Sequence, residues 1–285
     1  MIGETLGGKY AIVRLLGEGG MGAVYEARHT GTGRRVAVKV ITGNLARNAK
    51  VASRFEVEAR AAGTIESEHV VAVLDVGHDA GRDVPFIAME YLVGEDVEGL
   101  LSRLGPVAPE AALRIAVQAC FGLEKAHALG IVHRDIKPAN IFLCSRDGGG
   151  VTVKLLDFGV AKLVDEAGPG SAPRSKLTRT GALIGSPLYM SPEQALTRAT
   201  LDRRTDIWSL GVVLYELIAG RAPLHHFEAL AEVLIALTTA PVPPLRSFAP
   251  WVDGRIAEVV ERALVLDPGR RYQSAREMGE ALSAL

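Results

Sequence analysis

His133-Arg134-Asp135-Ile136-Lys137-Pro138-Ala139-Asn140 puts a carboxylate, an ammonium and a carboxamide into one short loop, and its surroundings decide the fold. Pro138 keeps this segment from being a regular helix. Before it, Pro109–Leu129 carries a helical apolar period. After it come two short apolar runs, Ile141–Cys144 and Val153–Leu156, joined through Gly148-Gly149-Gly150. An Asp can orient or deprotonate a hydroxyl, a nearby Lys can neutralise charge on a transferred phosphoryl group, and an Asn oxygen can ligate Mg²⁺. A polar surface turn is the bland alternative.

Further along the chain, Asp157-Phe158-Gly159 follows the second apolar run, so a strand delivers a carboxylate where a divalent ion could bridge phosphate oxygens. Strand-ending Asp-x-Gly turns are also common. Residues 165–182 are rich in Gly, Ser, Pro, Arg and Thr without an apolar period, which reads as a mobile loop. Ser191-Pro192-Glu193 follows it, and then helical patterns over Asp206–Ala219, Glu228–Thr238 and Gly254–Val265. Asp206 reads as an N-cap or first-turn carboxylate.

Toward the N-terminus the period changes to two. Tyr10–Leu16, Ala23–Arg28 and Arg35–Ile41 read as antiparallel strands, with glycine-rich turns at 17–22 and 31–33. A helix is expected over 46–64, then strands over Val70–Val76 and Pro85–Glu90. Gly17-x-Gly19-x-x-Gly22-x-Val24 would be a dinucleotide fingerprint only with a helix directly after it and an acidic residue about twenty positions on. A strand follows instead, and Lys39 stands in Val36-Ala37-Val38-Lys39. A glycine loop between strands lets backbone N–H groups approach phosphates, though a plain hairpin turn has the same residues. An ammonium in an apolar strand needs an anionic partner or ligand unless it sits at an exposed edge. Glu58 on the next helix is a candidate, and Glu56 and Glu66 fit an ordinary solvated face.

The chain has 285 residues, 48% of them hydrophobic, enough for one large domain or two packed lobes. Thirty-two basic against 33 acidic residues leave a net charge of -1, so no global field draws it to nucleic acid or an anionic membrane. Two cysteines without paired spacing argue against a disulfide framework or a zinc site and suit a reducing, cytoplasmic compartment. Neither a leader nor a spanning segment is legible, since the most apolar stretch, Ile207–Ala219, is short and interrupted by Glu216.

Glycine loop, strand lysine, helix glutamate, His-Arg-Asp loop, Asp-Phe-Gly and Ser-Pro-Glu occur in this order at plausible separations. The series resembles the bacterial branch of the eukaryotic-type (Hanks-type) Ser/Thr protein kinases from about Tyr10 to about Ala281. What the resemblance implies is an α+β, bilobal protein-kinase-like fold. Residues 1–92 would form a small antiparallel-sheet N-lobe with one main helix, and 93–285 a larger, mostly helical C-lobe. ATP would occupy the cleft under Leu16, Gly17, Glu18, Gly19, Gly20, Met21, Gly22 and Ala23, with Val24, Ala37 and Phe142 sandwiching adenine. Met89 would be the gatekeeper and Glu90-Tyr91-Leu92 the hinge. Lys39 would meet the α- and β-phosphates, held by Glu58; Asp135 would be the base and Lys137 the γ-phosphate contact. Asn140 and Asp157 would ligate Mg²⁺ or Mn²⁺.

The same resemblance makes protein Ser/Thr hydroxyls the substrate, on the strength of Lys137 and the hydroxyl of Ser186. It also implies autophosphorylation at Thr178 and Thr180, where a phosphate could pair with Arg134. Further implications are a brace for the catalytic loop from Asp206 and a Glu193–Arg271 ion pair, with room for a homodimer. Ser191 in place of the commoner Ala, Ser186 in place of Thr and the longer turn Arg146–Gly150 remove no catalytic group. The competing readings are a nucleotide-binding pseudokinase scaffold, which would lack one of Lys39, Asp135, Asn140 or Asp157, and a small-molecule phosphotransferase, which would lack a segment ending in Ser-Pro-Glu. A purely structural interaction domain would leave the polar loop without a purpose.

Overall fold

Val36, Val38 and Val40 alternate with Ala37 and Lys39, and the period of two puts the two sets on opposite faces of a strand. In the computed structural model, which describes residues 1–19, 22–41, 49–146, 148–158, 186–196 and 201–285, the three valines are at most 2% exposed. Their strand, β4 (Arg35–Ile41), lies within an antiparallel sheet of six strands. The others are β1 (Thr5–Leu6), β2 (Tyr10–Gly19), β3 (Gly22–His29), β5 (Val73–Asp79) and β6 (Val84–Glu90), in the order β1-β2-β3-β4-β6-β5. One face buries Leu6, Tyr10, Ile12, Ala27, the valines, Phe86 and Ala88. The opposite face carries α1 (Ala49–Ala62), whose Phe55 and Ala59 pack on Ile41 and Ile87. Fully burying a side chain such as Phe55 contributes roughly 2–3 kcal/mol.

The boundaries differ from the sequence expectation where burial and pairing part company. β2 runs past Leu16, because Gly17, Glu18 and Gly19 still pair with Val24, Ala23 and Gly22. The expected turn at 17–22 is therefore mostly hairpin arm. The strand expected from Val70 starts at Val73: Val70 is buried at an isolated bridge, and Val71 is buried outside β5. An apolar run reports burial, and a continuous ladder need not follow.

The described residues form two compact units, Met1–Val93 with Phe158, and Gly94–Asp157 with 186–196 and 201–285. The second contains a three-stranded antiparallel sheet of β7 (Gly94–Asp96), β8 (Ile141–Ser145) and β9 (Val151–Leu155). Around it stand α2 (Val97–Leu104), α3 (Pro109–Ala128), α4 (Pro192–Ala195), α5 (Arg204–Ala219), α6 (Leu230–Thr239), α7 (Gly254–Ala263) and α8 (Ala275–Ser283). α5 is buried almost all round, as its near-continuous apolar sequence requires. Gly211 lets α7 approach it: a Cβ there would lie 2.9 Å from the Ala263 Cβ. No helix among the described residues is long and apolar enough to cross a membrane.

Candidate active site

Strand register assigns the candidate nucleotide groups of the first unit to one face. Val24 pairs with Lys39 and Lys39 with Ile87, while Ala37 pairs with Glu26 and Met89. Directly paired residues share a face, so Val24, Ala37, Lys39 and Met89, all half-buried, stand together opposite the valines. α1 covers part of this same face through Phe55 and Ala59. Glu58, three residues after Phe55, lies on the packed side of that helix. Glu56 instead meets Arg60 at 3.6 Å.

The candidate hinge residue Tyr91 is held from the sheet. Glu26, only 6% exposed, accepts from Arg14 Nε at 2.8 Å and Arg35 Nε at 3.0 Å. Burial pushes its carboxyl up, and the two guanidiniums more than offset this, holding it below the usual carboxylate range. The Arg35 guanidinium lies 4.0 Å over the Tyr91 ring, and Arg14 Nη2 donates to the Tyr91 hydroxyl at 3.1 Å. Next to it, Glu90 Oε1 accepts from Ala72 N at 2.8 Å, and Leu92 is half-buried.

In the glycine hairpin, Leu16 and Glu18 are exposed and Ala23 is buried. A Cβ at Gly22 would lie 1.9 Å from the Val40 carbonyl oxygen, so the fold itself demands glycine there. At Gly17 and Gly19 a Cβ would meet nothing within 4 Å. Gly20 and Met21 lie outside the described residues, as do Thr178 and Thr180.

In the second unit the loop is built on Asp206. This residue sits in the first turn of α5 without capping it, and it is completely buried. Its Oδ2 accepts from His127 Nε2 and His133 N, each at 2.8 Å, and its Oδ1 from Arg134 N at 2.7 Å. His133 Nε2 donates to the Leu156 carbonyl at 2.7 Å, tying the loop to the end of β9. Asp135 then receives Lys137 Nζ at 2.8 Å and Asn140 Nδ2 at 2.9 Å, both on Oδ2. Asn140 Nδ2 also donates to the Asp135 carbonyl at 2.7 Å, which fixes the carboxamide with Oδ1 turned away. Asp157 follows β9 with φ +57°, and Phe142 on β8 is half-buried.

A protein kinase domain model matches residues 10–281. The chain belongs to the protein kinase domain family. The kinase domain is 42% identical over 275 residues to the serine/threonine-protein kinase Pkn1 of Myxococcus xanthus, covering 96% of this chain and 38% of that protein. It is 38% identical to pkn3 of the same organism, covering 100% of this chain and 51% of that one. With the serine/threonine-protein kinase PknB of Mycolicibacterium smegmatis identity is 38%, covering 96% of this chain and 42% of that one. The chain thus spans from about two-fifths to half the length of these relatives. The crystal structure of the Mycobacterium tuberculosis PknI kinase domain superposes with a TM-score of 0.74 at 28% identity, covering 100% of this chain and 98% of that one.

Two residues that help hold the 133–140 loop escaped the sequence reading. His127, on the last turn of α3, carries no motif. Gln194 had a signal, because Ser191-x-x-Gln194 is a capping box.

Proposed function

We propose that this domain transfers the γ-phosphoryl of ATP to serine and threonine hydroxyls of proteins, with Asp135 as the base. The observation that carries the reading is the asymmetric holding of Asp135, whose side-chain hydrogen bonds from Lys137 and Asn140 both fall on Oδ2. Its Oδ1 is left to take the proton of a substrate hydroxyl. As that proton moves, the oxygen forms a bond to the γ-phosphorus, the bond from that phosphorus to the ADP oxygen breaks, and ADP leaves. Lys137, 2.8 Å from the carboxylate, would balance charge on the moving phosphoryl group.

Lys39 would contact the α- and β-phosphates with Glu58 holding it, and Val24, Ala37, Met89 and Phe142 would meet adenine beside the hinge Glu90–Leu92. Open space at Gly17 and Gly19, where packing does not require glycine, fits a backbone that phosphates approach. The donor set suits Mg²⁺ or Mn²⁺: Asn140 Oδ1 and the Asp157 carboxylate are hard oxygen ligands. Held there, the ion would supply positive charge against the phosphate groups. Thr178 and Thr180 are the proposed autophosphorylation sites. Arg134 Nε is buried with no acceptor among the described residues, a donor that phosphate would satisfy. The two-cysteine composition suits a cytoplasmic setting for this domain.

The test is incubation of the wild type and Asp135→Asn with Mg-ATP and a generic protein substrate, followed by phosphosite mapping. Phosphoserine and phosphothreonine in the substrate, and phosphate at Thr178 or Thr180, are expected in the wild type alone. Nucleotide binding without transfer in the wild type would favour a scaffold.

A further inference from the structure

Arg134 has φ +67°, one of three non-glycine residues with positive φ among those described. A long side chain in the left-handed region persists only where the surroundings hold its backbone. The peptide before it is held by Asp206 Oδ1 on Arg134 N at 2.7 Å. The peptide after it joins the Arg134 carbonyl to the Asp135 N–H in one plane. That N–H faces His133 Nδ1 at 3.3 Å, and the carbonyl accepts from Gln194 Nε2 at 2.9 Å.

Gln194 is sixty residues away in the chain, on the short helix that Ser191 caps. Its Oε1 accepts from Ser191 N at 3.0 Å, and Ser191 Oγ accepts from Gln194 N at 3.4 Å. The carboxamide is thus divided: its oxygen closes the capping box and its nitrogen reaches the catalytic loop. Glutamate closes such a box equally well, yet an ionised carboxylate cannot donate. Helix capping therefore leaves the choice of glutamine unexplained. The helix is a firm base for this contact, because Glu193 is bound by Arg271 at 2.8 and 2.9 Å.

We propose that Gln194 is a positioning residue for phosphoryl transfer, fixing the Arg134–Asp135 peptide and through it the direction of the Asp135 carboxylate. The inference rests on the reading of Asp135 as the base.

The test compares Gln194→Glu, which keeps the cap and loses the donor, with Ser191→Ala, which weakens the cap and keeps the donor. Measurements at pH 8 keep the new glutamate ionised. Gln194→Glu is expected to leave the thermal midpoint and the KM for ATP near wild type, lower kcat roughly tenfold, and speed amide exchange over residues 131–137. Ser191→Ala is expected to lower the midpoint while kcat stays within about twofold. Wild-type kcat and unchanged exchange in Gln194→Glu would reduce Gln194 to a helix cap and overturn the proposal. Should the wild type transfer no phosphate, the kinase reading falls. Exchange over 131–137 then still decides whether Gln194 holds the loop.

Discussion

Arg271 sets its two terminal nitrogens on the two carboxylate oxygens of Glu193, at 2.8 and 2.9 Å, across seventy-eight residues of chain. The guanidinium is fully buried, donates also to the Val265 and Leu266 carbonyls, and lies 4.8 Å over the Trp208 ring. Thr205 Oγ1 adds a bond to Glu193 at 3.1 Å. Removing one member of such a pair strands the other charge, so Glu193→Gln should cost about 3 kcal/mol, read from urea midpoints at pH 7. Burial raises the Glu193 carboxyl, but Arg271 outweighs this and holds it below the usual range. A folded pKa below the unfolded one means stabilisation that is complete above the unfolded value and lost as pH falls through the folded value. The gap between wild type and variant should therefore narrow on acidification below pH ~4.3. Equal midpoints at pH 7 would show that the pair contributes nothing.

The two glycines Gly17 and Gly22 should separate fold from ligand. A methyl at Gly22 would collide with the Val40 carbonyl oxygen at 1.9 Å, a backbone atom that cannot swing away. Gly22→Ala should cost at least ~3 kcal/mol. Gly17→Ala meets open space, so its thermal midpoint should hold while the KM for ATP rises several-fold. An unchanged KM would remove the phosphate-lid role from Gly17.

Those glycines also show what a sequence can and cannot reveal. Spacing picked out both, because a hairpin and a phosphate lid use the same residues, but only the packing around Gly22 shows which one the fold requires. Val36, Val38 and Val40 announced β4 because their burial follows strand period. α8 stayed hidden because its buried stripe includes Ala275 and Gly279, small residues with little apolar signal. Asp135, Asn140 and Asp157 stood out as candidates since their chemistry is crowded into short motifs. His127 and Gln194 act on the loop from 79 residues before Asp206 and 60 after Arg134, where only the fold brings them together.

Acid should loosen the N-terminal strands first. The Asp79 carboxyl is held below its ordinary range chiefly by the Gly7 N–H at 2.8 Å, with Arg82 adding to it against burial. Glu4 is lowered by Arg82 at 2.6 Å, and Asp75 by Lys9 and Tyr10 despite its burial. All three shifts have the same sign, so their stabilisation is lost as pH drops through the folded values. Amide exchange, corrected for intrinsic rates, should rise over residues 5–12 below pH ~4 before it rises in α5. Asp79→Asn should reproduce part of the loosening at pH 7. Simultaneous opening of both regions would refute a local effect.

Asp206 and His127 should differ in what they give the catalytic loop. A carboxylate accepts on both oxygens, and Asp206 uses both, for His127 Nε2 and His133 N on one and Arg134 N on the other. Asp206→Asn keeps one acceptor and turns an NH₂ toward a buried donor, which should cost about 1–3 kcal/mol of stability. The strained Arg134 backbone would lose its hold, and kcat should fall about a hundredfold. His127 Nδ1 is buried without a partner among the described residues, so the proton belongs on Nε2, donating to Asp206. His127→Phe removes that donor and spares both backbone clamps, and kcat should fall only a few-fold. Steady-state kinetics with thermal unfolding on both variants would check the order. If His127→Phe proved as damaging as Asp206→Asn, the carboxylate would be steered by the imidazole, and the backbone bonds alone could not place Asp135.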